Sequence, residues 1–112
     1  MDYNGKRWKQ KRELILRRDK HLCREHQRYG KRIDATMVHH IYPALEYPEW
    51  EFASWNLISL CNDCHEAMHV RITGELTDKG KALQKRTPPS LERLREGMGY
   101  RERGTLSNSG KP

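Results

Sequence analysis

Val38-His39-His40-Ile41, answered by Trp55-Asn56-Leu57-Ile58-Ser59-Leu60-Cys61-Asn62-Asp63-Cys64-His65-Glu66-Ala67-Met68-His69, is the pattern that decides the fold of this chain. Two adjacent histidines follow an apolar residue, and an asparagine, a Cys-x2-Cys pair and a His-x3-His pair come later. All are groups that hold metal ions or move protons. Residues 35–42 are rich in β-branched and aromatic side chains and close at Pro43, so they read as a strand. Residues 56–61 read as a second strand, antiparallel to the first across a loop of about a dozen residues, longer than a tight hairpin. Residues 62–72 read as a helix that Asn62 or Asp63 caps and Gly74 stops. On such a helix His65 and His69 stand at i and i+4, so both imidazoles leave one face and reach one ion.

Working upstream, Cys23-x2-His26 has the spacing of a metal knuckle, weak alone and stronger once Cys61-x2-Cys64 supplies another half. Cys23, His26, Cys61 and Cys64 make the four N/S ligands of a closed tetrahedral Zn2+ site, with His21 as the substitute for His26. The alternative is buried free thiols beside a surface histidine. Three cysteines cannot all pair within one chain, which favours a metal over a disulfide scaffold. A structural zinc also suits the composition, since 112 residues with 35% hydrophobic content and a mean hydropathy of −1.05 leave a small core.

The net charge of +7 and pI near 9.5 point to a polyanionic partner. Residues 6–20 read as a basic amphipathic helix with Trp8, Ile15 and Leu16 on one side and Lys9, Arg12, Arg17 and Arg18 among the cations on the rest. This is a solvated surface helix, a DNA-contacting one, or both. Residues 27–37 read as a loop turning near Gly30. Residues 43–55 read as an acidic, aromatic loop whose Trp50 and Trp55 either cap the core or, for Trp50, stack on a base. No cleavable signal peptide and no run of about 20 apolar residues is present, so a cytoplasmic location and no membrane partner are expected. Residues 73–80 read as a connector, 81–85 as a helical scrap and 91–96 as a short helix that Ser90 caps. Composition from Gly97 onward is that of a disordered tail.

Taken together, Cys-x2-His, Val-His-His-Ile and Asn-Leu-x2-Leu-Cys-x2-Cys-His-x3-His resemble the HNH endonuclease family, the ββα-metal nucleases, most closely its small phage and prophage members. The likeness runs from Trp8 through Arg18-Asp19 to about residue 70. It implies an α+β fold, a ββα-metal (His-Me finger) core with an N-terminal basic helix and a structural zinc site. Residues 1–75 would be the nuclease domain, 76–96 a helical extension and 97–112 the tail. Residue by residue, His40 matches the general base and Asn56 the asparagine that positions the catalytic loop. His65 matches a metal ligand, and His39 stands where the family has Asp or His on the catalytic ion. His69 matches relatives, nuclease colicins among them, whose third histidine completes that site.

The resemblance therefore implies a metal-dependent DNA endonuclease or nickase in a phage or its bacterial host, with phage terminase proteins as further partners. The catalytic ion would be Mn2+, Ni2+, Zn2+ or Mg2+; a histidine in place of Asp at position 39 weakens the case for strict Mg2+ dependence. The competing expectations are a noncatalytic zinc-stabilised nucleic-acid-binding module and a DNA-packaging accessory. Because alternate strand residues face opposite ways, His39 and His40 addressing one phosphate requires an irregularity, expected near Tyr42-Pro43.

Overall fold

A computed structural model describes residues 2–97; apart from Gly97, the expected tail lies outside the described residues. Helix α1 (Lys6–Arg18) buries Trp8, Ile15 and Leu16 and stops short of the expected residue 20. It ends because Lys20 and His21 take positive φ angles of 58° and 57°, which turn the chain back. The returning segment pairs with residues further on: the Cys23 amide donates to the Ile33 carbonyl (2.7 Å) and the Ala35 amide to that of His21 (2.8 Å). Between these arms sits α2 (Arg24–Arg28), where the sequence reads as the knuckle and the start of a loop, and Gly30 at φ 77° closes the turn.

Strands β1 (Met37–His40) and β2 (Leu57–Leu60) form an antiparallel pair in the register His40↔Leu57, His39↔Ile58, Val38↔Ser59 and Met37↔Leu60. Both are shorter than expected, although single bonds, Thr36 amide to Leu60 carbonyl (3.2 Å) and Ile41 amide to Asn56 carbonyl (2.8 Å), extend the pairing at each end. Alternation then sorts the side chains. Val38 and Leu57 pack with Trp8, Ile15 and Leu16 of α1. Leu60 joins Cys23, Ile41, Cys61, Cys64 and Met68 on the opposite side, where α3 (Asn62–Glu66) lies.

The helix expected over 62–72 ends at Glu66. Its continuation loses the carbonyls it would need: Thr77 Oγ1 donates to Ala67 O (2.6 Å) and the Thr77 amide to Met68 O (2.9 Å). The chain reverses at Gly74 (φ 77°), and His69 bridges back to Leu76. Thr77 then caps α4 (Asp78–Arg86), longer than the expected scrap, by accepting from the Gly80 amide (3.3 Å). A Cβ at position 80 would stand 2.7 Å from the Met68 carbonyl oxygen, so only glycine admits this approach. Leu83 of α4 enters the core beside the cysteines. As expected, Ser90 caps the last helix, α5 (Leu91–Gly97), accepting from the Arg93 amide (3.1 Å). Among the described residues no helix is long and apolar enough to cross a membrane.

Candidate active site and metal centres

Cys23 and His26, brought round by the first turn, meet Cys61 and Cys64 at the end of β2 and the start of α3. His26 Nδ1 lies 3.3 Å from Cys23 Sγ, 3.6 Å from Cys61 Sγ and 3.4 Å from Cys64 Sγ. His21 is not part of this cluster. Burial opposes ionisation of Cys23, yet the His26 and Cys61 backbone amides outweigh it and bring the thiol down to about 7. Burial and the neighbouring Cys61 and Cys23 sulfurs push Cys64 up to about 12. Three sulfurs this close lose their protons together only around a cation, and the donor set fits a tetrahedral ion such as zinc.

A second cluster gathers imidazoles alone. The ring centroids of His39 and His65 are 5.5 Å apart, of His39 and His69 5.3 Å, and of His65 and His69 6.0 Å. One nitrogen from each lies within 4.8 Å of the others. His39 Nε2 is buried and without a hydrogen-bond partner, the mark of a donor atom aimed at a ligand. Burial, then the charges of His65, His69 and His40, push the His39 imidazolium down to about 3, so the ring is neutral at physiological pH. Burial and His69 likewise lower His65, against the opposing pull of Glu66. A neutral His39 with an orphaned nitrogen, beside two further imidazoles, fits a divalent metal.

His40 lies on the other face of β1. Its Nε2 is 2.9 Å from the Glu51 carbonyl oxygen, which can only accept, so Nε2 carries the proton and Nδ1 is the basic nitrogen of the neutral ring. Burial lowers the pKa of His40, and the Glu51 bond resists the shift. His39, His40, His65 and His69 all line one cleft of about 1040 Å3. The irregularity expected near Tyr42-Pro43 exists, since β1 ends at His40 and the chain bends at Ile41 and Tyr42, but it follows both histidines. What unites them is the cleft, which wraps the edge of β1 away from β2.

Asn56, fully buried, holds the base of the 41–56 loop. Its Oδ1 accepts from the Tyr42 amide (2.7 Å), and its Nδ2 donates to the carbonyls of Tyr42 (3.0 Å) and Trp50 (3.1 Å). Trp50 carries the segment leading to Glu51, so this amide also places the carbonyl that orients His40. Asn56→Ala strips partners from buried backbone groups at about 1–3 kcal/mol each. A loss of ~3 kcal/mol in denaturant unfolding is the expected result; an unchanged midpoint would remove Asn56 from the role of clamp.

No family model matches this chain, and neither does any curated protein. Among solved structures it is similar to the HNH endonuclease of the deep-sea thermophilic bacteriophage GVE2, crystallised with a manganese ion. Identity is 33%, the TM-score is 0.56, and the match covers 57% of this chain and 70% of that one. This chain belongs to the HNH endonuclease family.

The HNH fold of this chain puts the basic residues of α1 to different uses. Lys9 and Arg12 line the histidine cleft, and Arg12 also donates to the Thr36 carbonyl (2.6 Å). Arg17 borders a separate groove along α1. Arg18, expected beside them as a DNA contact, is exposed and also makes a set of structural bonds. Its guanidinium grips Asp19 at both oxygens (2.8 and 2.9 Å) and donates to the carbonyls of Ser54 (2.8 Å) and Leu57 (2.7 Å). Asp19 accepts in turn from the Ser59 amide (3.1 Å) and Arg24 (2.9 Å). This hub ties α1 to β2, a role that the charge pattern hides because an arginine bonded to the protein looks the same in sequence as one that is not. Trp50 stacks on Tyr47 at 4.9 Å and 4° and meets Trp55 and Tyr42 edge-on. It belongs to a half-buried aromatic cluster. The Glu51 carbonyl was not legible at all, since any residue supplies one.

Proposed function

We propose that this HNH protein is a divalent-metal-dependent DNA endonuclease that nicks one strand per encounter. The observation that carries the reading is the cleft in which an imidazole triad, His39 buried and His65 and His69 half-buried, and a separate, correctly protonated histidine face the same space. His40 acts as general base, its Nδ1 taking the proton of the water that attacks phosphorus. Asn56 holds the loop that presents the Glu51 carbonyl and keeps the His40 proton on Nε2. His39, His65 and His69 would hold the catalytic ion, which when bound supplies charge for the phosphorane-like transition state and the departing 3′ oxygen. Lys9 and Arg12, at the cleft wall, contact the phosphate backbone, with Arg17 reaching it further along α1.

The Cys23, His26, Cys61 and Cys64 site would hold a structural zinc. The nuclease unit spans residues 1–75, with 76–96 as a helical extension braced against it by Leu83.

Imidazoles without a carboxylate favour Mn2+, Ni2+ or Zn2+ over Mg2+. Incubating supercoiled plasmid with the protein and each ion in turn is expected to yield relaxed circles with one or more of those three. Mg2+ should give less, and a chelator should stop the reaction. Retained DNA binding with no relaxation under any ion would refute the nuclease and leave a zinc-stabilised DNA-binding module.

A further inference from the structure

We propose that Trp8 and Tyr3 are positioning residues that hold the His40 ring in its working orientation. The inference rests on the reading of His40 as the base. A base needs its lone pair held within about 10–20° of the productive direction by groups that are themselves locked. The bond from Nε2 to the Glu51 carbonyl pins one corner of the imidazole and leaves the ring free to tilt about that corner. Trp8 removes the tilt: its indole lies parallel to the imidazole, with centroids 5.0 Å apart and planes 20° off. Tyr3 meets the same imidazole edge-on at 6.3 Å and 69°, and buttresses the indole at 5.6 Å and 84°.

Apart from the half-buried Phe52 at its margin, the rest of the α1 contact is aliphatic. Ile15, Leu16, Val38 and Leu57 fill it with branched side chains, and burial alone would accept a leucine at position 8 as well. A flat indole has a further use because the neighbouring surface is the face of a flat ring. Trp8 is 5% exposed and fixed by this packing, so it transmits the rigidity of α1 to His40; Tyr3 is 56% exposed and sits at the cleft, where core packing does not require it. The stacked indole also covers one face of the imidazole.

Single-turnover plasmid relaxation should be measured as a function of protein concentration for Trp8→Leu, Trp8→Phe, Tyr3→Leu and His40→Ala, with melting curves for each. Trp8→Leu is expected to lower the maximal rate roughly ten-fold or more, in keeping with the cost of a misplaced group, while the half-saturating concentration stays unchanged. Trp8→Phe, which keeps a flat face, should recover most of that rate. Tyr3→Leu should lose about threefold with an unchanged melting temperature, as befits a lost orienting contact at an exposed site. A parental rate in Trp8→Leu, or equal losses in Trp8→Phe and Trp8→Leu, would overturn the positioning role. If Trp8→Leu does not fold, Tyr3→Leu decides, and a parental rate there overturns the role as well. Cleavage by His40→Ala at the parental rate would instead bring down the underlying assignment of the base.

Discussion

His40→Ala is expected to slow plasmid relaxation by about 10²–10⁴-fold, the usual contribution of a positioned general base. The expectation follows from the tautomer. With Nε2 donating to the Glu51 carbonyl, the neutral ring has its lone pair on Nδ1, and burial keeps it deprotonated below the ordinary imidazole range. Alanine removes that lone pair and leaves the Glu51 carbonyl to water, at about 1–3 kcal/mol of stability. Trp8 and Tyr3 lose the ring they pack on, but the metal-ligand and basic residues of the cleft do not touch it. The imidazole triad lies on the opposite face of β1, and Lys9 and Arg12 belong to α1 or its margin of the cleft. DNA affinity and metal uptake should therefore match the parent, measured by gel shift and by calorimetric titration with Mn2+. Equal nicking by the variant and the parent would remove His40 from the chemistry.

Replacing Cys61 and Cys64 together by serine should have the larger structural effect. Structural zinc in small domains contributes roughly 10–16 kcal/mol of apparent binding free energy, comparable with or greater than the ~5–15 kcal/mol total stability of a typical domain. This core cannot replace it. Cys23, Cys61 and Cys64 are themselves buried members of the cluster that contains Leu60, Met68 and Leu83. Without the ion, the turn carrying Cys23 and His26 loses its tie to α3, and His65, next in sequence to Cys64, loses its place beside His39. The parent is expected to retain about one zinc per chain through dialysis, in line with such affinities, and to melt cooperatively. The double variant should hold no zinc at this site and show no cooperative transition at 37 °C. Zinc content and melting temperature equal to the parent's would sink the structural role.

How far the fold was legible depends on how local its causes are. The two strands, the Ser90 cap and the Cys-x2-Cys pair follow from neighbours within a few residues, and they stand where the pattern put them. Helix α3 does not, because its end is decided from outside: Thr77 takes the carbonyls of Ala67 and Met68 that a longer helix would use. His69 consequently reaches His39 and His65 by the return of the chain at Gly74 and the bridge to Leu76, not by helical spacing. Helix α2 was hidden because its five residues are held by the Cys23–Ile33 and His21–Ala35 pairings, contacts that no local signal announces. The bonds of Arg18 to Asp19, Ser54 and Leu57 are not legible either, because composition records a charge and not its partners.

By itself the sequence determined the kind of chemistry available. Ligand types and their spacing point to a soft Cys-rich cluster, and the period of two along a strand puts His39 and His40 on alternate faces of β1. Tertiary structure decided how those parts work together. The free edge of β1 became the floor of a shared cleft, a backbone carbonyl chose the tautomer of His40, and α1 laid an indole against its ring. Those outcomes depend on angles and distances between segments far apart in the chain, which packing alone sets.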